Sequence, residues 1–186
     1  MKKNVSAIIY QVENTVFSLN ELAILLEEKN FNNLKAAANY YVKNKILWNL
    51  RRGIYAKENF NPYEMAVKIY SPAYIGFETV LFNQGIVFQY DRSITMASYL
   101  SREIKVGGYT LRFRKLKGPL LSSPEGLDFF PFYTIAQKER ALLDMLYINP
   151  LFHVDNLRQV DRKKIMQILP VYESTTLEKR IQELLK

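Results

Sequence analysis

The first sixty residues contain three stretches whose apolar positions recur at helical spacing. Residues 2–13 carry apolar side chains on one face, which predicts a first helix. A second helix is predicted from Ser18, because Ser18 and Glu21 match a capping box and Phe17 can pack on Leu22. The third covers residues 33–45. The predicted inward residues are Val5, Ile8, Ile9 and Val12 in the first helix, Leu22, Ile24 and Leu25 in the second, and Leu34, Ala38, Tyr41 and Val42 in the third.

The outward face of the third predicted helix is polar and basic. Lys35, Asn39 and Lys43 recur at i, i+4 and i+8 and therefore share this face. Ala36 beside them is small, so the helix backbone can approach the floor of a major groove, where Asn and Lys bind base edges or phosphates. The DNA ligands predicted in this stretch are Asn33, Lys35, Asn39, Tyr40, Lys43 and Lys45.

Two short strands are predicted next, over residues 46–50 and 54–56. They are joined by Arg51-Arg52-Gly53, in which Gly53 can supply a positive φ. Arginines at the tip of such a turn suit phosphates and narrow minor grooves. Helices followed by this hairpin predict a winged helix-turn-helix over residues 1–60, with the hairpin as its wing.

The charge pattern of the same region points to a nucleic acid. From residue 29 to residue 57 there are seven basic residues and no acidic one. Double-stranded DNA is the predicted partner, because an all-positive surface gains affinity by releasing counterions from the phosphates. A solvated face without a ligand is the other interpretation. The seven are Lys29, Lys35, Lys43, Lys45, Arg51, Arg52 and Lys57, and the last three complete the set of predicted DNA ligands.

A domain boundary is predicted between residues 60 and 61. Asn61 as N-cap and Pro62 at the first helical position start a new helix there, and Glu64 is expected to reach back to that start. A further apolar helix is predicted over residues 73–84, with Gly85 as its stop. The inward residues of the first of these helices are predicted to be Tyr63, Ala66, Val67 and Tyr70.

The rest of the chain predicts strands and then helices. The strands are expected over residues 93–99, 102–106, 109–116 and 129–135, and the helices over residues 137–148, 161–169 and 174–186. Gly107-Gly108 predicts a hairpin turn, and Asp161 and Ser174 are predicted helix caps. The predicted fold class is therefore α+β, a winged helix-turn-helix followed by a mixed α+β domain with an antiparallel sheet and terminal helices in residues 61–186.

A second basic surface is predicted on the later hairpin. Arg112 and Arg114 alternate with Leu111 and Phe113, so the arginines face away from the core. This face is either plain solvated surface or a second nucleic-acid surface. Its residues are Arg112, Arg114, Lys115 and Lys117.

Composition narrows the class of protein. The chain has 186 residues, a net charge of +8, 48% hydrophobic residues and no cysteine. No apolar run is long enough to cross a bilayer, and without cysteine there are neither disulfides nor thiolate metal sites. These features predict a cytoplasmic protein that is not associated with a membrane.

The inventory of catalytic groups is poor. The only histidine, His153, falls in a predicted loop, and no Gly-rich phosphate loop is present. Asp144 is expected to pair with Arg140 one helical turn away. We therefore expect no enzymatic activity, no cofactor and no metal. A nuclease built only from carboxylates stays open as the last hypothesis, and its residues would be Glu125, Asp128, Glu139 and Asp144.

Four segments follow one another in an order that carries a resemblance. They are residues 50–55 (LRRGIY), 71–81 (SPAYIGFETVL), 84–86 (QGI) and 135–147 (IAQKERALLDMLY). In this order they resemble the AbiEi-type antitoxins, and the resemblance covers nearly the whole chain. That family couples an N-terminal winged helix-turn-helix to a C-terminal antitoxin domain in bacterial toxin–antitoxin and abortive-infection systems.

The resemblance implies two activities. The winged domain would repress its own operon by binding the operator, and residues 61–186 would neutralise a neighbouring nucleotidyltransferase-like toxin, commonly without a tight complex. The sequence departs from the family at Thr79-Val80, where Ser-Ala is usual, at Gln84, where His is usual, and at Lys138-Glu139-Arg140, where Pro-Glu-Lys is common. The alternative hypothesis is a stand-alone winged-helix transcriptional regulator whose second domain senses a ligand or dimerises.

Overall fold

The contacts within the chain divide it into two units. The computed structural model describes residues 5–89 and 92–185. The first unit is Met1–Ile69 and the second is Tyr70–Lys186. This division lies nine residues after the boundary expected from the sequence, because the helix that starts at Pro62 packs within the first unit.

The first unit consists of four helices and a small sheet in its described part. The helices are α1 (Val5–Gln11), α2 (Leu19–Leu26), α3 (Phe31–Lys43) and α4 (Pro62–Ile69), and the strands are β1 (Val16–Ser18), β2 (Trp48–Arg51) and β3 (Ile54–Ala56). The sheet has the order β1-β3-β2 and is antiparallel throughout. Of the predicted first helix, residues 2–4 lie outside the described residues.

The start of α2 is fixed by the predicted capping box. The Ser18 backbone N–H donates to Glu21 Oε2 at 2.7 Å, and the Glu21 N–H donates to Ser18 Oγ at 3.2 Å. The strand β1 just before it was not predicted. Its three residues are too few to show an alternating pattern, and it exists because it pairs with β3, with Val16 opposite Ala56.

The two middle helices are joined by a short turn. The helix α2 ends at Leu26 and α3 begins at Phe31, so four residues, 27–30, connect them. Glu27 adopts the left-handed conformation with φ +54°, and its N–H closes the end of α2 on Ala23 and Ile24. On the inward side of α3, Leu34, Ala38 and Tyr41 are buried as predicted and Val42 is half-buried. Ile24 of α2, predicted to face inward, is exposed instead. The core also contains Ile9, Phe17, Leu22, Leu47 and Tyr55.

The helix α4 is tied to β1 by a buried carboxylate. Glu64 is only 1% exposed and accepts hydrogen bonds from Thr15 N (2.9 Å) and Thr15 Oγ1 (2.6 Å). The prediction that Glu64 reaches back to the helix start is therefore wrong. Lys68 Nζ lies 3.1 Å from Glu64, 2.8 Å from Glu21 and 2.6 Å from Val16 O. Of the four residues predicted to face inward here, Ala66 is buried and the other three are half-buried, while Glu64 and Met65 are buried as well.

The second unit is built on a six-stranded sheet with the order β6-β7-β5-β4-β9-β8. Its strands are β4 (Ala73–Ile75), β5 (Ser93–Ser98), β6 (Arg102–Val106), β7 (Tyr109–Lys115), β8 (Leu127–Phe129) and β9 (Thr134–Ala136). The sheet is mixed and not purely antiparallel as predicted. The β6–β7 hairpin folds back so that β7 lies beside β5, and two reversals of direction make that pair parallel.

The helices of the second unit are α5 (Phe77–Asn83), α6 (Gly118–Ser122), α7 (Lys138–Ile148), α8 (Arg162–Ile168), a 3-10 helix (Leu169–Tyr172) and α9 (Thr175–Leu184). Of these, α5 packs on β5 and α7 on β9, while α8 and α9 pack on α7. The predicted terminal helices are present, and Asp161 and Ser174 cap them as expected. The predicted helix 73–84 is instead β4 followed by α5, and the predicted strand 129–135 is a hairpin of β8 and β9.

The helix α7 crosses the core and carries a buried ion pair. Arg140 Nε lies 3.1 Å from Asp144 Oδ1, and both side chains are fully buried. The pairing was predicted, but its burial was not. Tyr74 and Tyr172 donate their hydroxyls to Asp144 at 2.7 and 2.6 Å, and burial raises the pKa of both tyrosines well above the usual value. In the described part of the chain, no helix is long and apolar enough to span a bilayer.

Candidate nucleic-acid interface

The helix α3 is closed at both ends by asparagine side chains. Asn30 Oδ1 accepts from the N–H groups of Asn32 (2.9 Å) and Asn33 (3.2 Å), two of the free donors at a helix start. At the other end, Asn44 Nδ2 donates to the Tyr40 carbonyl at 2.8 Å. The helix ends of α3 are therefore satisfied by its own neighbours in sequence.

The outer side of α3 forms an exposed polar face, which we call the α3 face. It is made of Asn32, Asn33, Lys35, Ala36, Asn39, Tyr40 and Lys43, all of them exposed. Every residue predicted as a DNA ligand within this helix is a member. The helix contains no acidic residue, so no carboxylate within α3 offsets the two lysines. The face can offer amides and ammonium groups to a partner.

Lys35 and Lys43, the cations of the α3 face, make no ion pair with any residue that the structure describes. Lys35 Nζ lies 4.2 Å from the centre of the Phe31 ring, a cation–π contact that holds its side chain along the helix while leaving its charge unneutralised. Within the described residues, Lys43 and Lys45 make neither a salt bridge nor a side-chain hydrogen bond. Lys45 follows the helix with φ +56° and is exposed.

The turn between β2 and β3 presents one arginine rather than two. Gly53 has φ +80°, as predicted, and its carbonyl accepts from Leu19 N at 3.0 Å. This bond fixes the turn to the start of α2. Arg52 is exposed at the tip, whereas Arg51 is half-buried and is the last residue of β2, opposite Ile54. The sequence had placed both arginines at the tip.

Lys57 is oriented toward the interior and not toward the α3 face. Its Nζ donates to the Val12 carbonyl at 2.5 Å and lies 5.9 Å from the centre of the Phe17 ring. Burial lowers the pKa of Lys57, and the nearby Glu64 carboxylate raises it only in part. This lysine was predicted as a DNA ligand from the charge run alone, which contains no information on long-range partners. Its hydrogen bond makes it part of the scaffold of the first unit.

Two of the four residues of the second predicted basic surface are paired with carboxylates. Arg112 Nε lies 3.1 Å from Glu103 Oε2 across the β6–β7 hairpin, and the Arg114 guanidinium pairs with the Glu78 carboxylate from α5. Lys115 and Lys117 remain exposed. The Glu103 pairing had a signal in the sequence, because a Gly107-Gly108 turn sets Glu103 directly opposite Arg112. The Glu78 pairing had none.

The four carboxylates considered for a nuclease do not converge. Asp144 is bound to Arg140, Glu139 Oε1 accepts from Asp161 N at 2.9 Å, and Asp128 Oδ1 accepts from Gln137 Nε2 at 2.8 Å. Glu125 is bound by Ser123, and this hydrogen bond lowers the pKa of its carboxyl. No cluster of three or more metal-ligating side chains occurs among the described residues.

A cavity of about 560 Å³ lies in the second unit. Its polar lining includes Glu78, Arg92 and Asp155, and Phe152 contributes an aromatic wall. His153, also in the lining, is exposed, and its Nε2 lies 3.4 Å from Asp155 Oδ1. No Ser, Thr or Cys lines the cavity within the described residues, so the histidine has no nucleophile to activate there.

Comparison of the chain with models of known protein families and with curated proteins found no match.

Proposed function

We propose that this chain is a sequence-specific DNA-binding protein whose first unit is a winged helix-turn-helix. In this proposal α3 is the recognition helix and the β2–β3 hairpin is the wing. The order of elements supports it, because α2 and α3 are joined by four residues, a length typical of helix-turn-helix motifs. The strand β1, which pairs with the wing, adds the third strand that such domains commonly have.

The observation that carries the proposal is the charge of the α3 face and of the wing tip. Lys35, Lys43 and Arg52 are exposed and lack acidic partners among the described residues. The carboxylates of Glu21 and Glu64 in the same unit are turned instead to Lys68. An exposed positive surface of this kind gains binding free energy when phosphates release their counterions. Asn39 lies among these cations and can bind a base edge.

The antitoxin part of the proposal rests on the resemblance to the AbiEi-type family. By that resemblance, the protein represses its own operon through the winged domain and neutralises a neighbouring nucleotidyltransferase-like toxin through the second unit. It is not an enzyme in this proposal, and it works in the cytoplasm with DNA as its direct ligand. Direct contact with the toxin is not required.

The DNA-binding proposal is tested with the duplex that lies directly upstream of the coding sequence. Full-length protein is titrated onto this fragment at several salt concentrations, in parallel with the double variant Lys35→Ala/Lys43→Ala. Removing one lysine–phosphate interaction lowers the slope of log affinity against log salt by about 0.9. Removing two such interactions therefore lowers it by about 1.8.

The matched control is Lys163→Ala/Lys164→Ala, which removes the same charge from exposed lysines of α8 in the second unit. We expect this control to keep the slope of the unmodified protein. Equal slopes for both double variants would overturn the assignment of the α3 face, and no binding at low salt would overturn DNA binding altogether.

The antitoxin proposal is tested by growth rescue. The full-length chain and the Lys35→Ala/Lys43→Ala variant are each expressed from an unrelated promoter, together with the adjacent nucleotidyltransferase-like reading frame. Since that promoter removes transcriptional control, rescue by both proteins supports neutralisation by the second unit. Rescue by neither contradicts an antitoxin.

A second candidate function is favoured by the cavity of about 560 Å³ in the second unit, which is large enough for a small molecule. In this case the chain is a ligand-sensing winged-helix regulator. Failure of growth rescue together with intact promoter binding would support it. Filling the cavity with Leu151→Trp, at an exposed position of its lining, would then change promoter affinity, whereas it would leave an antitoxin's affinity for DNA unchanged.

A further inference from the structure

The α3 face is rich in asparagine and contains no arginine. Asn32, Asn33 and Asn39 are exposed, and their side-chain amides make no hydrogen bond within the described part of the chain. Asn30 and Asn44, by contrast, use their side chains to close the helix ends. Three amides are thus available to a ligand. Arginine pairs bidentately with guanine, whereas asparagine pairs with the N6 and N7 edge of adenine.

Three side chains of the α3 face, two asparagines and one alanine, lie along one narrow stripe of the helix. At about 100° per residue, Asn32, Ala36 and Asn39 fall within about 60° of each other around the helix axis. Asn32 and Asn39 are two turns apart, which is about 10 Å along the axis, or about three base-pair steps of 3.4 Å. The methyl group of Ala36 lies between them, and a methyl group contacts the methyl of thymine.

The lysines of the same helix are placed to bind phosphates. Lys35 is held against Phe31, on the flank of the stripe, and Lys43 is in the last turn. Recognition helices contact base edges mainly with their N-terminal residues. The residues in the N-terminal part and centre of the stripe are asparagine and alanine. Their side chains are suited to contact adenine and the methyl group of thymine.

The turn between β2 and β3 supplies an independent observation that also favours A·T-rich DNA. Arg52 is exposed at the tip of the turn, fixed in place by the bond between Gly53 O and Leu19 N. The narrow minor groove of A-tracts has an enhanced negative potential that attracts an inserted arginine.

We propose that the α3 face reads A·T base pairs in the major groove, Asn32 and Asn39 each pairing with an adenine and Ala36 contacting a thymine methyl, so that the operator is A·T-rich. This inference rests on the proposed DNA-binding function and specifies the class of sequence that is bound. Asn39 and Asn32 are the residues that determine the specificity.

The test is a selection from random duplexes with the full-length protein. A pool with a randomised core of about twenty base pairs, two helical turns, is bound, recovered and sequenced. The same selection is done with Asn32→Ala, Asn39→Ala and the control Asn59→Ala, an exposed asparagine outside α3. We expect selected sites rich in A·T, with two adenine preferences about three base pairs apart. Each α3 variant should lose discrimination at one of them by about 5- to 150-fold, while the control keeps both.

The possible outcomes separate the inference from the function on which it rests. Binding with a G·C-rich consensus, or an unchanged consensus in both α3 variants, overturns the inference and leaves DNA binding intact. Loss of one adenine preference with unchanged affinity for unselected duplex supports it. Circular dichroism of each variant establishes that α3 is still folded, and absence of any duplex binding at low salt overturns the proposed function itself.

Discussion

The two regions predicted to be basic, one in each unit, differ in whether their arginines and lysines are paired with carboxylates. In the first unit, Lys43 and Arg52 are exposed without an acidic partner among the described residues. In the second, Arg112 and Arg114 lie on a hairpin of similar charge but pair with Glu103 and Glu78. The arginines of the second hairpin are therefore neutralised, whereas Lys43 and Arg52 of the first unit keep their charge available.

A count of basic residues, it follows, does not locate a nucleic-acid surface. What decides is whether a carboxylate lies within reach in the fold, and that depends on strand register and packing. In the first unit the carboxylates of Glu21 and Glu64 are used by a single internal lysine, Lys68. The cations of the α3 face are left without them, and a partner that carries phosphates can take their place.

The largest effect on the free energy of unfolding is expected from breaking the buried ion pair between Arg140 and Asp144 in the second unit. Asp144→Ala leaves the guanidinium of Arg140 buried without its carboxylate, and it also removes the acceptor for Tyr74 and Tyr172. We expect the free energy of unfolding to fall by about 3–5 kcal/mol. Urea unfolding followed by circular dichroism measures it.

The double variant Arg140→Met/Asp144→Leu is the control, because replacing both members of a buried pair by apolar side chains is often close to neutral. It should recover the part of the loss that comes from the unpaired charge, whereas the buried hydroxyls of Tyr74 and Tyr172 still lack their acceptor. A loss under about 1 kcal/mol for the single variant would mean that the pair contributes no more than a surface ion pair does.

The second-largest effect on stability is expected at Glu64, the buried carboxylate of the first unit. Glu64→Ala removes the acceptor of two hydrogen bonds from Thr15 and one partner of Lys68. Because these bonds involve a buried charge, we expect a loss of about 2–3 kcal/mol. Trp48 is the only tryptophan and lies in the first unit, so its fluorescence reports the transition.

Glu58→Ala is the matched control, since Glu58 is exposed and has no partner among the described residues. It should change stability by less than about 0.5 kcal/mol.

The same reasoning predicts that a fragment ending at residue 60 is less stable than one ending at residue 69, because it lacks α4. Equal stability of the two fragments would argue that the boundary expected from the sequence is the functional one.

The comparison between the two hairpins is tested directly by DNA binding. Arg52→Ala should lower the salt slope by about 0.9, the value for one phosphate interaction. Arg112→Ala should leave it unchanged, because that charge is already paired with Glu103. Fluorescence anisotropy of the labelled promoter duplex gives both slopes. An equal drop for the two variants would contradict a difference between the hairpins.

The smallest effect is a dependence on pH in the first unit. Burial alone would raise the pKa of Glu21, but hydrogen bonds from Lys68 and Ser18 hold it below the usual value. A carboxyl with a lowered pKa in the folded state contributes stability above its usual pKa of 4.5, and this contribution is lost as the pH falls through the lowered value.

Glu21→Gln should therefore destabilise the protein at pH 7, by only about 0.5 kcal/mol because Glu21 is 39% exposed and screened by solvent. At an acidic pH below the lowered pKa of Glu21 the difference should vanish, since the wild-type carboxyl is then neutral. Chemical unfolding at both pH values measures it. A difference that persists in acid would assign the effect to the capping box rather than to the charge.

What could be predicted from the sequence was local. The capping box at Ser18, the exposed side of α3 and the turn at Gly53 depend on residues a few positions apart, and the structure has them as expected. The inward orientation of Lys57 depends on the carbonyl of Val12, 45 residues away in sequence. The strand β4 exists because it pairs with β5 and β9, which lie far from it in the sequence. The apolar run of residues 73–84 contains no information on these partners, and by itself it favoured a helix.

The caps of α3 have a thermodynamic consequence for complex formation. Asn30 and Asn44 satisfy the helix ends in the free protein, so α3 need not fold when a ligand arrives. Segments that order on binding lower the affinity by the entropy they lose and add a large negative heat-capacity change. We expect calorimetry on the promoter duplex to give a heat-capacity change that corresponds to the docked surface alone, without the additional decrease that the folding of a helix would add.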